Sequence, residues 1–316
     1  MQRDESIKEL SKAIQKKALD LGFTGCGFSK AEALHEDAHK LKTWLEKGYH
    51  ARMAYMANHF EKRTDPEQLV EGARTVISLL YNYYTDRAQD DPEAPILSKY
   101  AYGRDYHFVL KEKMHLLFDF IKSMHPEAEG RVFVDSAPVL DRAWAKKAGL
   151  GWIGKNSMLI SRTAGSFVFI GEIILNLELP YNELPESDFC GSCTRCIEAC
   201  PTGAILDNRT LDSERCISYQ TIENKGEISP ELEGKLMGRV FGCDICQDVC
   251  PWNRKALVHR EAAFDPDREL MELSKEDWQN LSRERYKTLF NQSPLERAGY
   301  QKIKGNMAFL QKNPDS

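Results

Sequence analysis

The sequence predicts a mixed helix-and-sheet core of the α/β or α+β class, followed by a small cysteine-rich module and a helical C-terminal segment. Helical and strand-like patterns alternate over residues 1–180, which is typical of a layered domain. Eight of the nine cysteines fall between Cys190 and Cys250, and the chain after them is charged and helical in pattern. We therefore expect three parts, at residues 1–180, 181–256 and 257–316.

The composition is that of a globular chain with a sizeable core: 316 residues, 42% of them hydrophobic and 29% charged. No run of about 18 apolar residues is present. The N-terminus, MQRDESIKEL, lacks the apolar segment of a signal peptide. We expect a cytoplasmic protein with no membrane attachment. The net charge of −5 neither implies nor excludes a nucleic-acid partner.

Each predicted element follows from residue periodicity or composition. An amphipathic helix over residues 1–21 ends at Gly22, and RTVISLLYNYY at 74–84 has the β-branched and aromatic composition of a buried strand. A polar segment at 180–188 is predicted to link the core to the cysteines. The remaining predictions are strands at 23–28, 131–135, 157–160 and 166–177, and helices at 31–47, 106–124, 138–148, 271–281 and 293–310.

The cysteine spacing predicts two 4Fe–4S clusters in a ferredoxin-like module. The run Cys190-x2-Cys193-x2-Cys196-x3-Cys200-Pro201 matches the bacterial ferredoxin pattern, in which three thiolates hold one cluster and the fourth reaches the other. A second run, Cys243-x2-Cys246-x3-Cys250-Pro251, lacks its first cysteine, which Cys216 can replace. By reciprocity, one cluster takes Cys190, Cys193, Cys196 and Cys250, and the other takes Cys200, Cys216, Cys243 and Cys246.

Structural zinc is the alternative for these cysteines, because zinc also binds Cys-x2-Cys pairs. Two four-thiolate zinc sites would not need the two Cys-x3-Cys-Pro endings, so we favour clusters. The ninth cysteine, Cys26, is expected to be a small core residue.

Asp135 is the first candidate for chemistry outside the cysteine module. It follows a predicted strand at the carboxyl end, where α/β folds place active sites. Asp135-Ser136-x-Pro138 is also a good helix start, so a structural role as a helix N-terminal acid has equal weight on the residues alone. Tyr106 and His107 open the next candidate helix, although a single histidine is more often a surface or core residue than a catalytic one.

A glycine-rich stretch, Gly149-x-Gly151-x-x-Gly154, formally matches a dinucleotide-binding fingerprint. It follows a helix and precedes a strand, which is the wrong order for that site. A helix C-cap and a loop that lets the backbone approach a ligand is the favoured interpretation. Arg142 and Lys155 belong to a locally basic stretch that suits phosphate or RNA contact, and a solvated helix face explains such residues equally well.

Four motifs together resemble the epoxyqueuosine reductase family. They are GRDYH at 103–107, VDSAPVLDR at 134–142, GLGWIGKNS at 149–157, and the paired cysteine runs. The resemblance extends from the N-terminal helix to about residue 300. It implies a cobalamin-dependent enzyme, related to reductive dehalogenases, that reduces the epoxide of epoxyqueuosine at the tRNA wobble position to the alkene of queuosine.

The same resemblance implies the site residues and partners. Asp135 is the expected proton donor, and Tyr106, His107 and Arg142 are expected to line the substrate pocket. A corrinoid is expected between the core and the cluster module, and a carboxyl group beside it should have a raised pKa; an Asp135–Arg142 pair would instead lower that pKa. The expected partners are tRNA carrying epoxyqueuosine in its anticodon loop and an external low-potential electron donor, with the protein as a monomer. The expected corrinoid contacts are His59, Arg63, Asp135, Ser157, Ser218, Tyr219 and Asp244.

Two departures from family patterns affect these expectations. The corrinoid motif Asp-x-His-x-x-Gly is absent, because Leu110 stands where its glycine would be, so no histidine is expected below the cobalt. Many members also continue into a helical-repeat tail that helps to bind RNA, whereas this sequence stops at Ser316. The tRNA affinity is therefore expected to depend on basic residues of the core. The alternatives from other classes are a corrinoid reductase of a small molecule such as an organohalide, and a plain eight-iron electron carrier.

Overall fold

A computed structural model describes residues 2–182, 188–206 and 209–312. Most of the predicted linker at 180–188 therefore lies outside the described residues. Within the described part, eight strands form one larger sheet and two small two-stranded sheets. The strands are β1 (Gly25–Lys30), β2 (Thr75–Asn82), β3 (Ile96–Leu97), β4 (Gly130–Phe133), β5 (Trp152–Ile153), β6 (Leu159–Ile160), β7 (Val168–Leu175) and β8 (Arg239–Phe241).

Twelve α-helices are present in the described part of the chain. None of them combines the length and apolar composition needed to cross a lipid bilayer. They are α1 (Gln2–Asp20), α2 (His35–Glu46), α3 (Phe60–Thr64), α4 (Tyr106–Met124), α5 (Asp141–Lys147), α6 (Arg195–Glu198), α7 (Ile245–Asp248), α8 (Arg268–Glu272), α9 (Lys275–Gln279), α10 (Arg283–Leu289), α11 (Pro294–Ala298) and α12 (Tyr300–Gln311).

The core is a four-stranded sheet in the order β1-β2-β7-β4, and every neighbouring pair is antiparallel. The mixed fold class is confirmed, in its α+β form. Strand β7 lies between β2 and β4, so Glu172 pairs with Ser78 on one side and with Phe133 on the other. This register places one acidic side chain in the middle of a buried sheet.

Helices cover both faces of that sheet. On one face, Ile14 of α1 and Leu110 and Met114 of α4 pack against Ile77 and other sheet residues of the largest apolar cluster. The other face packs against α5, which begins six residues after Asp135. The first residues of α4 and α5 and the end of β4 therefore meet at one edge of the core.

The C-terminal helices form a second apolar cluster with the cluster module. Trp278, Phe290 and Ile303 are buried together with Val240 and Phe241 of β8. Asn306 of α12 donates to the carbonyl groups of Thr221 and Val240 at 2.9 Å each. The C-terminal segment is thus packed onto the module that carries the cysteines.

Several predicted elements differ from the observed ones. The helix predicted at 271–281 is two helices, because the Ser274 side chain caps a new start by accepting a bond from the Asp277 amide. The helix predicted at 293–310 breaks at Gly299, whose φ is 83°. Gly149 has φ 75° just after α5, which agrees with the predicted C-cap, and Gly151 lies so close to the Ile160 carbonyl that a larger residue would clash there.

Candidate active site and cluster module

Asp135 lies at the centre of a hydrogen-bonded group formed by residues that open α4. The Tyr106 hydroxyl donates to Asp135 Oδ2 at 2.5 Å, and His107 Nε2 lies 3.5 Å from the same oxygen. The Tyr106 ring is stacked on Phe169 with 4.2 Å between ring centroids, which fixes its direction. The structure therefore brings three of the four residues predicted to be catalytic into one cluster.

The cluster continues through two residues that the sequence did not reveal. Asp105 Oδ1 accepts from the His107 amide at 2.9 Å and lies 2.8 Å from His107 Nδ1. Arg297, from α11, places its Nε 2.9 Å from Asp105 Oδ2. The His107 imidazole thus lies between the carboxylates of Asp105 and Asp135, and Arg297 from the C-terminal segment forms an ion pair with Asp105.

These contacts determine where protons reside. Burial alone would raise the pKa of Asp135, but hydrogen bonds from His107 and Tyr106 outweigh burial and lower the pKa below its ordinary value. Burial lowers the pKa of His107, but its hydrogen bonds to Asp105 and Asp135 outweigh burial and raise the pKa. In the protein alone, the imidazolium–carboxylate pair is therefore the favoured state. The raised pKa expected for Asp135 beside a bound corrinoid stays a prediction.

Arg142 does not form the ion pair with Asp135 that would have opposed an acid role. Its guanidinium donates to the Ser157 carbonyl. Arg297 and His107, rather than Arg142, supply the positive charges that lower the pKa of Asp135.

Asp135 lies beside the space between the core and the cysteine module, which we call the cleft. Its side chain is 59% exposed although protein surrounds it on several sides. Tyr55 is 47% exposed. Burial together with the charges of Glu223 and Asp135 raises the pKa of Tyr55 to about 12, so Tyr55 lies within electrostatic range of Asp135 in the core and of Glu223 in the module. Tyr219, which begins a π-helix at Tyr219–Glu223, faces Tyr55 from the module side.

The segment between α2 and α3 connects the two sides of this cleft. Trp44 Nε1 donates to the Leu211 carbonyl at 2.8 Å, and the Ser213 amide donates to the Tyr49 carbonyl at 2.9 Å. The Arg52 amide donates to the Tyr219 hydroxyl at 3.1 Å. The cleft therefore has a wall from each part of the chain.

Three residues predicted at the site have left-handed backbone: His59 with φ 56°, Asp135 with φ 51° and Ser157 with φ 63°. Such a conformation costs a non-glycine residue about 1–3 kcal/mol and is concentrated at functional sites.

Arg63, Ser218 and Asp244, which are also predicted corrinoid contacts, differ in burial and in hydrogen bonding. Arg63 is buried and donates to the Tyr55 carbonyl at 2.8 Å, and its Nε has no partner among the described residues. Ser218 is half-buried at the start of the π-helix. Asp244 is buried, with its carboxylate accepting from Ser98 and from the Lys99 amide.

The surroundings of the module cysteines support the two predicted ligand groups, which remain a prediction. Burial and then the charges of Cys190 and Cys250 raise the pKa of Cys196, and Cys243 is influenced in the same way by Cys216. The first group lines a cavity of about 140 Å³. No set of three or more His, Cys, Asp or Glu side chains in the described ranges converges on a point that suits a single metal ion. Thiols placed around a cavity fit a cluster better than they fit zinc.

The two groups have different surroundings. Cys216 lies two residues before Ser218, at the start of the cleft-lining π-helix. The first group lies beside Phe189 and Trp252, with Trp152 Nε1 3.5 Å from Cys190 Sγ. The group that contains Cys216 therefore adjoins the cleft. Cys26, as predicted, packs against the main core.

Comparison with known proteins shows the family to which this sequence belongs. A family model described as epoxyqueuosine reductase QueG, DUF1730, matches residues 63–136, and one described as a 4Fe-4S double cluster binding domain matches residues 189–253. An epoxyqueuosine reductase from Cyclobacterium marinum is 48% identical over 96% of this chain and 98% of its own. The chain belongs to the epoxyqueuosine reductase family. Its cysteine module binds two 4Fe–4S clusters.

Solved structures agree with that assignment. A crystal structure of epoxyqueuosine reductase with a tRNA-Tyr epoxyqueuosine-modified tRNA stem loop has a TM-score of 0.88 at 32% identity, over 95% of this chain and 80% of that one. The Bacillus subtilis epoxyqueuosine reductase, with its catalytic aspartate loop swung out of the active site, has a TM-score of 0.87 at 30% identity, over 95% and 80% of the two chains. A B12-dependent reductive dehalogenase, at 16% identity and a TM-score of 0.51, shares the fold alone.

Proposed function

We propose that the protein reduces the epoxide of epoxyqueuosine, in the anticodon loop of tRNA, to the alkene of queuosine. The observation that carries this proposal is the group of Tyr106, His107 and Asp135, which faces an open cleft beside a two-cluster module. Loss of the epoxide oxygen as water consumes two electrons and two protons. An external low-potential donor supplies the electrons, and the clusters pass them one at a time towards the cleft.

The cleft suits a cobalamin. It presents hydrogen-bonding groups from both sides, and the buried Arg63 has an Nε without a partner in the described part of the chain. We assign corrinoid contacts to side chains or backbone of His59, Arg63, Asp135, Ser157, Ser218, Tyr219 and Asp244. When bound, cobalamin supplies a metal centre that stores electrons and delivers them to the epoxide carbon.

Asp135 is assigned as the group that delivers a proton to the departing oxygen. At neutral pH the mobile proton resides on His107, because that imidazole lies between two carboxylates. Its transfer to Asp135 Oδ2 breaks an N–H bond and forms an O–H bond, and a substrate oxygen then takes the proton from Asp135. Tyr106 holds the carboxylate in place, and Arg142 supports the cleft wall at Ser157.

The remaining assignments follow from this chemistry. Residues 1–180 provide the substrate and cobalamin site, residues 181–256 the clusters, and residues 257–316 a helical support. We propose that the protein acts as a monomer in the cytoplasm, where its tRNA substrate is.

The test is anaerobic reconstitution with iron, sulfide and cobalamin, followed by an assay on tRNA carrying epoxyqueuosine. Asp135→Asn should still bind both clusters and cobalamin, as judged by absorption spectra, because asparagine keeps the size of the side chain and its hydrogen-bonding oxygen. It should lose about 100-fold or more in turnover, as expected for a general acid. Asp119→Asn, on the exposed side of α4, is the matched control. Full turnover by Asp135→Asn would refute the acid assignment, and failure of the wild type to bind cobalamin would refute the cofactor assignment.

A further inference from the structure

A second pair of carboxyl groups lies behind the site, between the sheet and α5. Glu172, on β7, is 0% exposed, and its carboxyl group is in hydrogen-bond contact with that of Asp141, the first residue of α5. Among the described residues, no donor lies within hydrogen-bond distance of Asp141 Oδ1 or of either Glu172 carboxylate oxygen. Ser78, the register partner of Glu172, also has a buried hydroxyl without a partner there.

Buried carboxylate oxygens without donors are rare, because each unsatisfied group costs free energy. The arrangement is satisfied when a proton bridges the two groups, since one oxygen then donates to the other. Two such carboxyl groups in contact cannot both ionise at neutral pH. The pair therefore carries at least one proton of its own, in addition to the proton on His107.

The pair is electrostatically coupled to Asp135. Phe133 pairs with Glu172 in the sheet, and Asp135 follows Phe133 by two residues, just past the end of β4. The charged groups that face the pair are Asp135, Arg142 on α5 and Arg63 on α3. Burial first, and then the charge of Asp135, raises the pKa of Asp141. Burial first, and then the charges of Asp141 and Asp135, raises the pKa of Glu172 well above its ordinary value. Because such coupling is reciprocal, loss of the proton that His107 and Asp135 share favours uptake of one by the pair.

We propose that Asp141 and Glu172 form a buried proton store that cycles between one and two shared protons and reloads Asp135 within each catalytic cycle. This inference rests on the proposed reduction, whose two protons exceed the single mobile proton of the His107–Asp135 pair. When the His107 proton has passed through Asp135 to the substrate, the site has lost one positive charge, and the Asp141–Glu172 pair takes a proton from solvent. An O–H bond of the pair then breaks, an O–H bond of Asp135 forms, and the pair returns to its one-proton state. The electrons come from the external low-potential donor and are not affected.

Glu172→Gln tests the store. The amide keeps the size of the side chain and can donate a hydrogen bond to Asp141, but it has no carboxyl proton to release. The first measurement is infrared spectroscopy of the cluster-loaded protein at neutral pH. The wild type should show the C=O band of a protonated carboxyl group, which shifts in heavy water and grows as the pH falls, at pH values above those at which ordinary carboxyl groups take up protons. Both Glu172→Gln and Asp141→Asn should lose that growth. A wild type without the band would overturn the shared proton.

The second measurement is the pH profile of multiple turnover in the reconstituted enzyme. The wild-type rate should fall with rising pH as the pair gives up its second proton, and Glu172→Gln should lose that step and be slower by about tenfold at acidic pH. An unchanged profile in a folded variant would mean that the pair is structural only. If the wild type fails to reduce the tRNA but shows the infrared band, the proposed function fails while the shared proton stands.

Discussion

Replacing Asp105 by asparagine should shift the pH range in which the enzyme is active. Asp105 is 2% exposed and accepts from the His107 amide, the His107 ring and Arg297. A hydrogen bond to a charged group contributes about 1.5–3 kcal/mol, and one pKa unit corresponds to about 1.36 kcal/mol. Loss of the carboxylate charge should therefore lower the pKa of His107 by about 1–2 units, while the asparagine oxygen still accepts from the backbone.

The assay is the pH dependence of single-turnover reduction, combined with NMR titration of labelled histidine in the cluster-loaded protein. The decline of the rate with rising pH should begin about 1–2 units lower in Asp105→Asn than in the wild type. Stability should change with the same sign. The contribution of His107 is complete below its unfolded pKa of about 6.5 and is lost as pH rises through the raised folded value, so the variant should lose less stability over that range. Asp119→Asn is the control, and a decline at the same pH in both variants would refute the reasoning.

Two further outcomes are expected. Cys216→Ala should bind about half of the iron of the wild type after reconstitution, because one four-cysteine group loses a ligand. The control variant Cys26→Ala should bind the full amount. Equal iron contents in the two variants would contradict the ligand assignment. Arg297→Met should lower the free energy of unfolding by about 1–3 kcal/mol, because it leaves the buried Asp105 carboxylate without its guanidinium partner. The control is Arg283→Met, at an exposed position on α10. Equal unfolding midpoints in the two variants would contradict a stabilising Arg297–Asp105 contact.

The sequence predicted the bounds of an element correctly where a capping residue or a proline next to it sets its ends. Helix α4 has the predicted bounds, because Asp105 caps its first turn and Pro126 follows its end. The helix predicted at 271–281 was wrong because the cap at Ser274 outweighs the continuing apolar pattern. The strand-end rule that drew attention to Asp135 applies to parallel sheets, whereas this sheet is antiparallel.

The site was predictable only in part, for a physical reason. Tyr106, His107 and Asp135 belong to short motifs, and the structure brings them together. Arg297 has no local signature, because it meets His107 only through packing of the C-terminal helices. Glu172 was hidden in the same way, since its acidic side chain interrupts an apolar strand and gains meaning only when α5 covers it.

The contact between Arg297 and His107 joins positions 190 residues apart in the chain. Contacts of such long sequence separation form late in folding, because the loop that they close must first lose its conformational entropy. The site therefore gains the guanidinium that pairs with Asp105 only after the C-terminal helices have docked on the module. A nascent or partly folded chain has the cysteines and the carboxylates but not this arginine, so the balance of charges around His107 is completed as one of the last events of folding.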